Sequence, residues 1–107
     1  MATALSVAQV VNRTGFVTGQ VVVAAAGTPV QGPNVAVPDG IPIAILAFPG
    51  NGGLIYIGNS LAEVLAAGAR WDGIGAGGGV TLNIRNLNAV WFDAVNNGEG
   101  VSYMVER

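Results

Sequence analysis

Short apolar runs rich in Val and Ile recur along the chain, broken every few residues by Gly, Pro, Asn or Asp. Helical periodicity is nearly absent. This pattern predicts an all-β protein, an antiparallel β-sandwich of jelly-roll-like type. The candidate strands are QVVVAAA (20–26), PNVAVP (33–38), IPIAILAF (41–48), LIYIGN (54–59), VTLNIR (80–85), AVWFDA (89–94) and GVSYMVE (100–106). Asp39-Gly40, Gly50-Asn51-Gly52-Gly53 and Asn96-Asn97-Gly98 separate neighbouring runs. Gly takes positive φ without steric cost, so these joints read as tight reversals. Three hairpin-like joints predict antiparallel pairing.

Alternation within the runs shows what each strand faces. In VTLNIR, Val80, Leu82 and Ile84 oppose Thr81, Asn83 and Arg85. In GVSYMVE, Val101, Tyr103 and Val105 oppose Ser102, Met104 and Glu106. Both have one wet side. IPIAILAF differs, because Ile41, Ile43, Ile45 and Ala47 oppose Pro42, Ala44, Leu46 and Phe48, and both sets are apolar. Either this is a central strand covered twice, or its outer face meets another subunit.

Two segments leave the β pattern. In SLAEVLAAGA (60–69), Ser60 and Glu63 form an S-x-x-E capping box, Leu61, Val64 and Leu65 share a helical face, and Gly68 is a stop. One or two turns of helix on a long connection are expected there. Residues 1–19 are apolar but weakly patterned, and read as an N-terminal arm or edge strand preceding a sandwich domain over 20–107.

Composition narrows the functional classes. The chain is 107 residues long, one domain by length. Only 9% of its residues are charged, against about 25% in an ordinary soluble protein. A surface so poor in charge tends to associate, so partners are expected to cover part of it. Arg13, Arg70, Arg85 and Arg107 are scattered and Lys is absent, which argues against nucleic-acid binding. No Cys is present, so disulfides, thiolate metal sites and a Cys nucleophile are excluded. Arg13 follows the first apolar run instead of preceding it, unlike a secretory signal. The uncharged stretches 14–38 and 40–62 are interrupted by Pro, Gly, Asn or Gln, and read as strands and turns, not membrane spans.

Catalytic chemistry has few candidates. In GIGAGGG (73–79), Gly73, Gly75 and Gly78 match G-x-G-x-x-G, and Asp93 lies 20 residues after Gly73. A dinucleotide site needs a helix opening in the glycines, whereas VTLNIR follows with a period of two. No cofactor is expected, and the glycines read as a turn into a strand. Without His or Lys the commonest general bases are missing, and no enzymatic activity is expected. Asp93 and Glu99 flanking one joint make a weak glycosidase pair, and Asp72, Asp93 and Glu99 a weak calcium set. Trp71 and Trp91 offer aromatic surface. Trp91 reads as core or interface, and Trp71, beside Arg70 in an irregular loop, as an interface residue or a carbohydrate platform.

VPDGIPIAILAFPGNGGLIYIGNS, followed by VTLNIRNLNAVWFDAVNNGEGVSYMVE, resembles small virion proteins of tailed bacteriophages. The motifs are a V-P-D-G turn before an apolar strand, a P-x-N-x-G loop leading to I-Y-I-G-N-S, and a closing N-G-E-G-V-S-Y. The resemblance covers residues 35–106, about two-thirds of the chain. It implies a head decoration (cement) protein on the capsid surface, made in the bacterial host cytoplasm, with the major capsid protein as partner and homotrimers at three-fold positions. A head-fibre, adaptor or tail module is the runner-up, and a carbohydrate-binding module a more distant alternative. The expected contacts are Val7, Val10, Val11 and Phe16 of the arm, with Arg70 and Trp71.

Overall fold

A computed structural model describes residues 15–107. The strands are β1 (Phe16–Val23), β2 (Val30–Gln31), β3 (Ile43–Ala47), β4 (Ile55–Gly58), β5 (Trp71–Ile74), β6 (Gly79–Leu82), β7 (Trp91–Ala94) and β8 (Glu99–Glu106). A short helix α1 (Leu61–Leu65) separates β4 from β5, and a 3-10 turn (Leu87–Ala89) precedes β7. Two four-stranded antiparallel sheets result, ordered β1-β8-β3-β6 and β2-β7-β4-β5. This is the ordering of a jelly roll, as the apolar pattern predicts.

The joints do a different job from the one expected. Gly50–Gly53 carries the chain from β3 in one sheet to β4 in the other, and Asn96–Gly98 carries it from β7 back to β8. The Pro38–Gly40 turn, closed by the Ile41 amide donating to the Pro38 carbonyl (3.1 Å), leads into β3. None of the three is a hairpin between directly paired strands. Among the described residues, only β4 and β5 are consecutive strands that pair with each other.

Other boundaries also move. β1 starts at Phe16 and ends at Val23, so 24–26 form a turn instead of strand. Residues 33–38 make only an isolated bridge, Ala36 to Asn86. Pro33 and Pro38 bring no N–H to a ladder, which limits pairing there. Val35 and Val37 are nevertheless buried, as their alternation implies.

The core lies between the sheets. Its fully buried members include Phe92, Ile43, Ile45, Ile55, Leu87 and Val101, each stabilising by about 1.5–3 kcal/mol relative to exposure. Asn51 is a buried polar exception that ties one corner to β8. Its Nδ2 donates to the Gly100 carbonyl at 2.9 Å, and its Oδ1 accepts from the Gly100 amide at 3.4 Å.

Ser60 caps the helix as expected, while the return bond from Glu63 falls on the amide of Asn59 instead of that of Ser60. Ser60 Oγ accepts from the Glu63 amide (3.1 Å), and Glu63 Oε1 accepts from the Asn59 amide (2.9 Å). The helix is shorter than the 60–69 pattern suggests and ends at Ala66, whose backbone is extended. Leu61 and Leu65 are exposed, and Val64 is its single buried residue. Val64 is seated on Gly58 of β4, where an added Cβ would lie 2.6 Å from the Val64 nitrogen. The glycine run ends β5 at Ile74, turns over Gly75–Gly78 with Gly77 at φ 72, and starts β6 at Gly79. No helix opens from it.

Candidate interaction surface

The sheet containing β3 buries one side of that strand. Ile43, Ile45 and Ala47 enter the core, while Ala44 and Leu46 face outward. Registers place their neighbours. Thr18, Met104, Ala44 and Thr81 form one row across β1, β8, β3 and β6. Gln20, Ser102, Leu46 and Gly79 form the next. Leu46 is 43% exposed and Met104 42%, so large apolar side chains stand open in the middle of this face. They line a shallow depression of about 450 Å³ with Thr18, Ala44, Thr81 and Ser102. Its lining carries no ionisable group except Tyr103; Glu106 and Pro42 border an adjoining hollow of about 290 Å³. Among the described residues, IPIAILAF is therefore a central strand covered on one side only.

β1 is the edge strand beside this face. Phe16, 66% exposed, and Val22, 46% exposed, lie on its outward side. Gly19 points inward under Tyr103, whose hydroxyl would stand 2.3 Å from an added Cβ.

Arg70 and Trp71 sit elsewhere and not in an irregular loop. Trp71 opens β5 and Arg70 immediately precedes it. The Arg70 guanidinium stacks 3.6 Å from the Tyr56 ring centroid, and its Nε donates to Asp72 Oδ1 at 2.7 Å. Arg70 is thus engaged within the chain. Trp71 lies exposed along Gly73, whose added Cβ would be 2.3 Å from the indole nitrogen. With Asn59, Glu63, Leu82 and Ile84, it lines a cleft of about 260 Å³ between β5 and β6 at the open side of the sandwich. Val7, Val10 and Val11 lie outside the described residues. The structure therefore does not bring Phe16 together with Arg70 and Trp71.

The carboxylates raised by the sequence hold loops. Asp93 is buried, and its Oδ1 accepts from the amides of Gly27 (2.9 Å) and Ala94 (2.8 Å). Glu99 accepts from the amides of Gly52 and Gly53 and from Asn96 Nδ2, which anchors the 50–53 corner. Donation from Gly52 holds its carboxyl below the usual range; desolvation opposes this, and Gly53 and Asn96 reinforce it. Among the described residues, no group of three acidic side chains converges as a metal site.

The residues that sequence reasoning left out of the candidate surface are Thr18, Ala44, Leu46, Thr81, Ser102 and Met104. The signal for them was the second apolar set of IPIAILAF together with Met104 on the wet side of the last strand. No family model matches the chain, and neither the curated proteins nor the solved structures searched contain a match to it.

Proposed function

We propose that this chain is a structural protein of a phage particle, a head decoration protein that binds the capsid surface and stabilises contacts between capsomers. The observation that carries the reading is the uncharged depression around Leu46 and Met104, which draws on all four strands of its sheet and is open among the described residues. Apolar surface of that kind marks a place of association. The V-P-D-G, I-Y-I-G-N-S and N-G-E-G-V-S-Y motifs supply the phage context. Capsid protein is the partner, and the work is mechanical: area buried across a seam resists outward pressure.

Sedimentation with phage heads stripped of surface proteins tests this. The chain is expected to pellet with the heads and to saturate, and Leu46→Asp/Met104→Asp to stay in the supernatant while remaining folded. A wild-type chain left in the supernatant at about 10 μM, a concentration that detects any complex of about 8 kcal/mol or tighter, overturns the reading. Copy number per particle separates cement from a fibre or tail module, which needs far fewer copies.

The Trp71 cleft favours a second reading, a carbohydrate-binding module. An exposed indole beside Asn59 and Glu63 combines a stacking face with polar groups at its rim. A glycan array with Trp71→Ala as control decides it, and a blank array removes it.

A further inference from the structure

We infer that β1 pairs antiparallel with β1 of a second copy of this chain, about a two-fold axis at Gly19, joining the two β1-β8-β3-β6 sheets into one.

The four sheet edges are unequally protected. β2 is two residues long and lies between Pro29 and Pro33. β5 is short, carries Asp72 and pairs with β4 through a register shift. β6 is four residues long, starts at glycine and runs on toward Arg85. Charge, proline, irregularity and brevity are the usual means of blocking edge-to-edge association. β1 has none of them. It runs for eight residues, FVTGQVVV, without charge or proline, in unbroken register from Phe16–Glu106 to Val23–Glu99.

The backbone shows which groups that edge offers. Gly15 and Arg107 exchange both main-chain hydrogen bonds (3.1 and 2.8 Å), and the Val23 carbonyl accepts from the Gly98 amide. Odd-numbered residues of β1 therefore turn their N–H and C=O toward β8. By the alternation of an antiparallel ladder, Phe16, Thr18, Gln20 and Val22 aim theirs at the open edge. Among the described residues, no strand meets them there.

Self-pairing satisfies these groups in one register better than in its neighbours. With the axis at Gly19, Phe16 stands opposite Val22 of the second copy and Thr18 opposite Gln20. Each even residue then exchanges hydrogen bonds with an even residue. The two large apolar side chains left exposed on β1 cover each other as aromatic–aliphatic cross-strand pairs. On the inner side, Val17 meets Val21. Registers centred on Thr18 or Gln20 keep the hydrogen-bond alternation but set Phe16 against Gln20, or Val22 against Thr18. A neutral strand also meets its own copy without like-charge repulsion. The pairing does not depend on the virion reading, and its two-fold symmetry differs from the three-fold closure implied by the resemblance.

Sedimentation equilibrium on the full chain, with amide exchange, tests the inference. The wild type is expected to reach dimer mass as concentration rises, with the Thr18 and Gln20 amides gaining protection in step. Gln20→Pro removes one outward N–H per copy and no bond to β8. It is expected to weaken the dimer about 30-fold or more with the far-UV spectrum retained. Thr18→Lys/Gln20→Lys, which keeps the strand and sets like charges opposite each other, is expected to leave monomer. Any of four results overturns the inference: monomer at all concentrations to about 300 μM (no association tighter than about 5 kcal/mol), trimer mass, a dimer indifferent to both variants, or concentration-independent protection of Thr18 and Gln20. The last would place another segment, such as residues 1–14, on the edge.

Discussion

Ile45 and Leu46 are neighbours in β3 that point to opposite sides of the sheet, and truncating each in turn measures which side is the core. Ile45 is 1% exposed and Leu46 43%. Truncation to Ala removes three carbons in both cases, about 2.4 kcal/mol of transfer free energy for a fully buried side chain. At Ile45 the enclosed space adds a cavity term of about 24 cal/mol per Å³, so Ile45→Ala is expected to cost about 3–4 kcal/mol. At Leu46 a little over half of the side chain is covered and no enclosed cavity forms. Leu46→Ala is expected to cost about 1 kcal/mol. A gap of about 2–3 kcal/mol corresponds to a melting difference of roughly 10 °C or more for a domain of this size. Guanidinium unfolding followed by tryptophan fluorescence, on dilute chain and with equal slopes for the variants, supplies the numbers. Equal losses from the two truncations in dilute solution would refute the assignment of the outer face. A Leu46→Ala cost that grows with concentration would instead show that face being covered by copies.

Two further outcomes follow from particular contacts. Gly58→Ala sets a methyl group against the Val64 backbone and pushes α1 off β4, with a loss of about 1–3 kcal/mol by thermal unfolding and a changed Trp71 emission as the cleft opens. Glu99, whose carboxyl is held below its ordinary value of 4.5, fastens the 50–53 corner only while ionised. Its contribution is complete above the unfolded value and disappears as pH falls through the lower folded value. The Gly52 and Gly53 amides are therefore expected to exchange faster in acid, and Glu99→Gln to abolish that dependence.

Much of the sandwich was legible because its strands obey period two. Val101, Tyr103 and Val105 turn inward, as do Val80 and Leu82, and the second apolar set of β3 announced the open face. The cap at Ser60 was equally plain, being a local hydrogen bond from the Glu63 amide to the Ser60 hydroxyl. Turn chemistry misled at Gly50–Gly53 and Asn96–Gly98, because glycine and asparagine encode a reversal without encoding which sheet receives the chain. β5 was invisible: Trp71-Asp72-Gly73 does not alternate, and the register shift opposite Ile55 and Ile57 accommodates the irregularity. Leu61 and Leu65 shared a helical face with Val64 but stay exposed among the described residues, so only Val64 became core. Phe16 and Trp71 belong to different sheets, in β1 and β5, so the contacts expected of the arm and of the Arg70–Trp71 segment lie on separate surfaces, which the sequence did not reveal.

The position of β8 has a kinetic consequence. It lies between β1 and β3, pairing with both, although it follows every other element in the sequence. Until residues 99–106 leave the ribosome, β1 has no partner among the described strands and β3 has only β6. Apart from the connection between β4 and β5, the joints lead from one sheet to the other, so local hairpins contribute little to nucleating the domain. The rate-limiting step is therefore the long-range closure of β8 onto β1 and β3, which makes folding slow. During that delay the unpaired FVTGQVVV segment is exposed, and rapid synthesis at high local concentration favours premature joining of nascent chains over completion of either sheet.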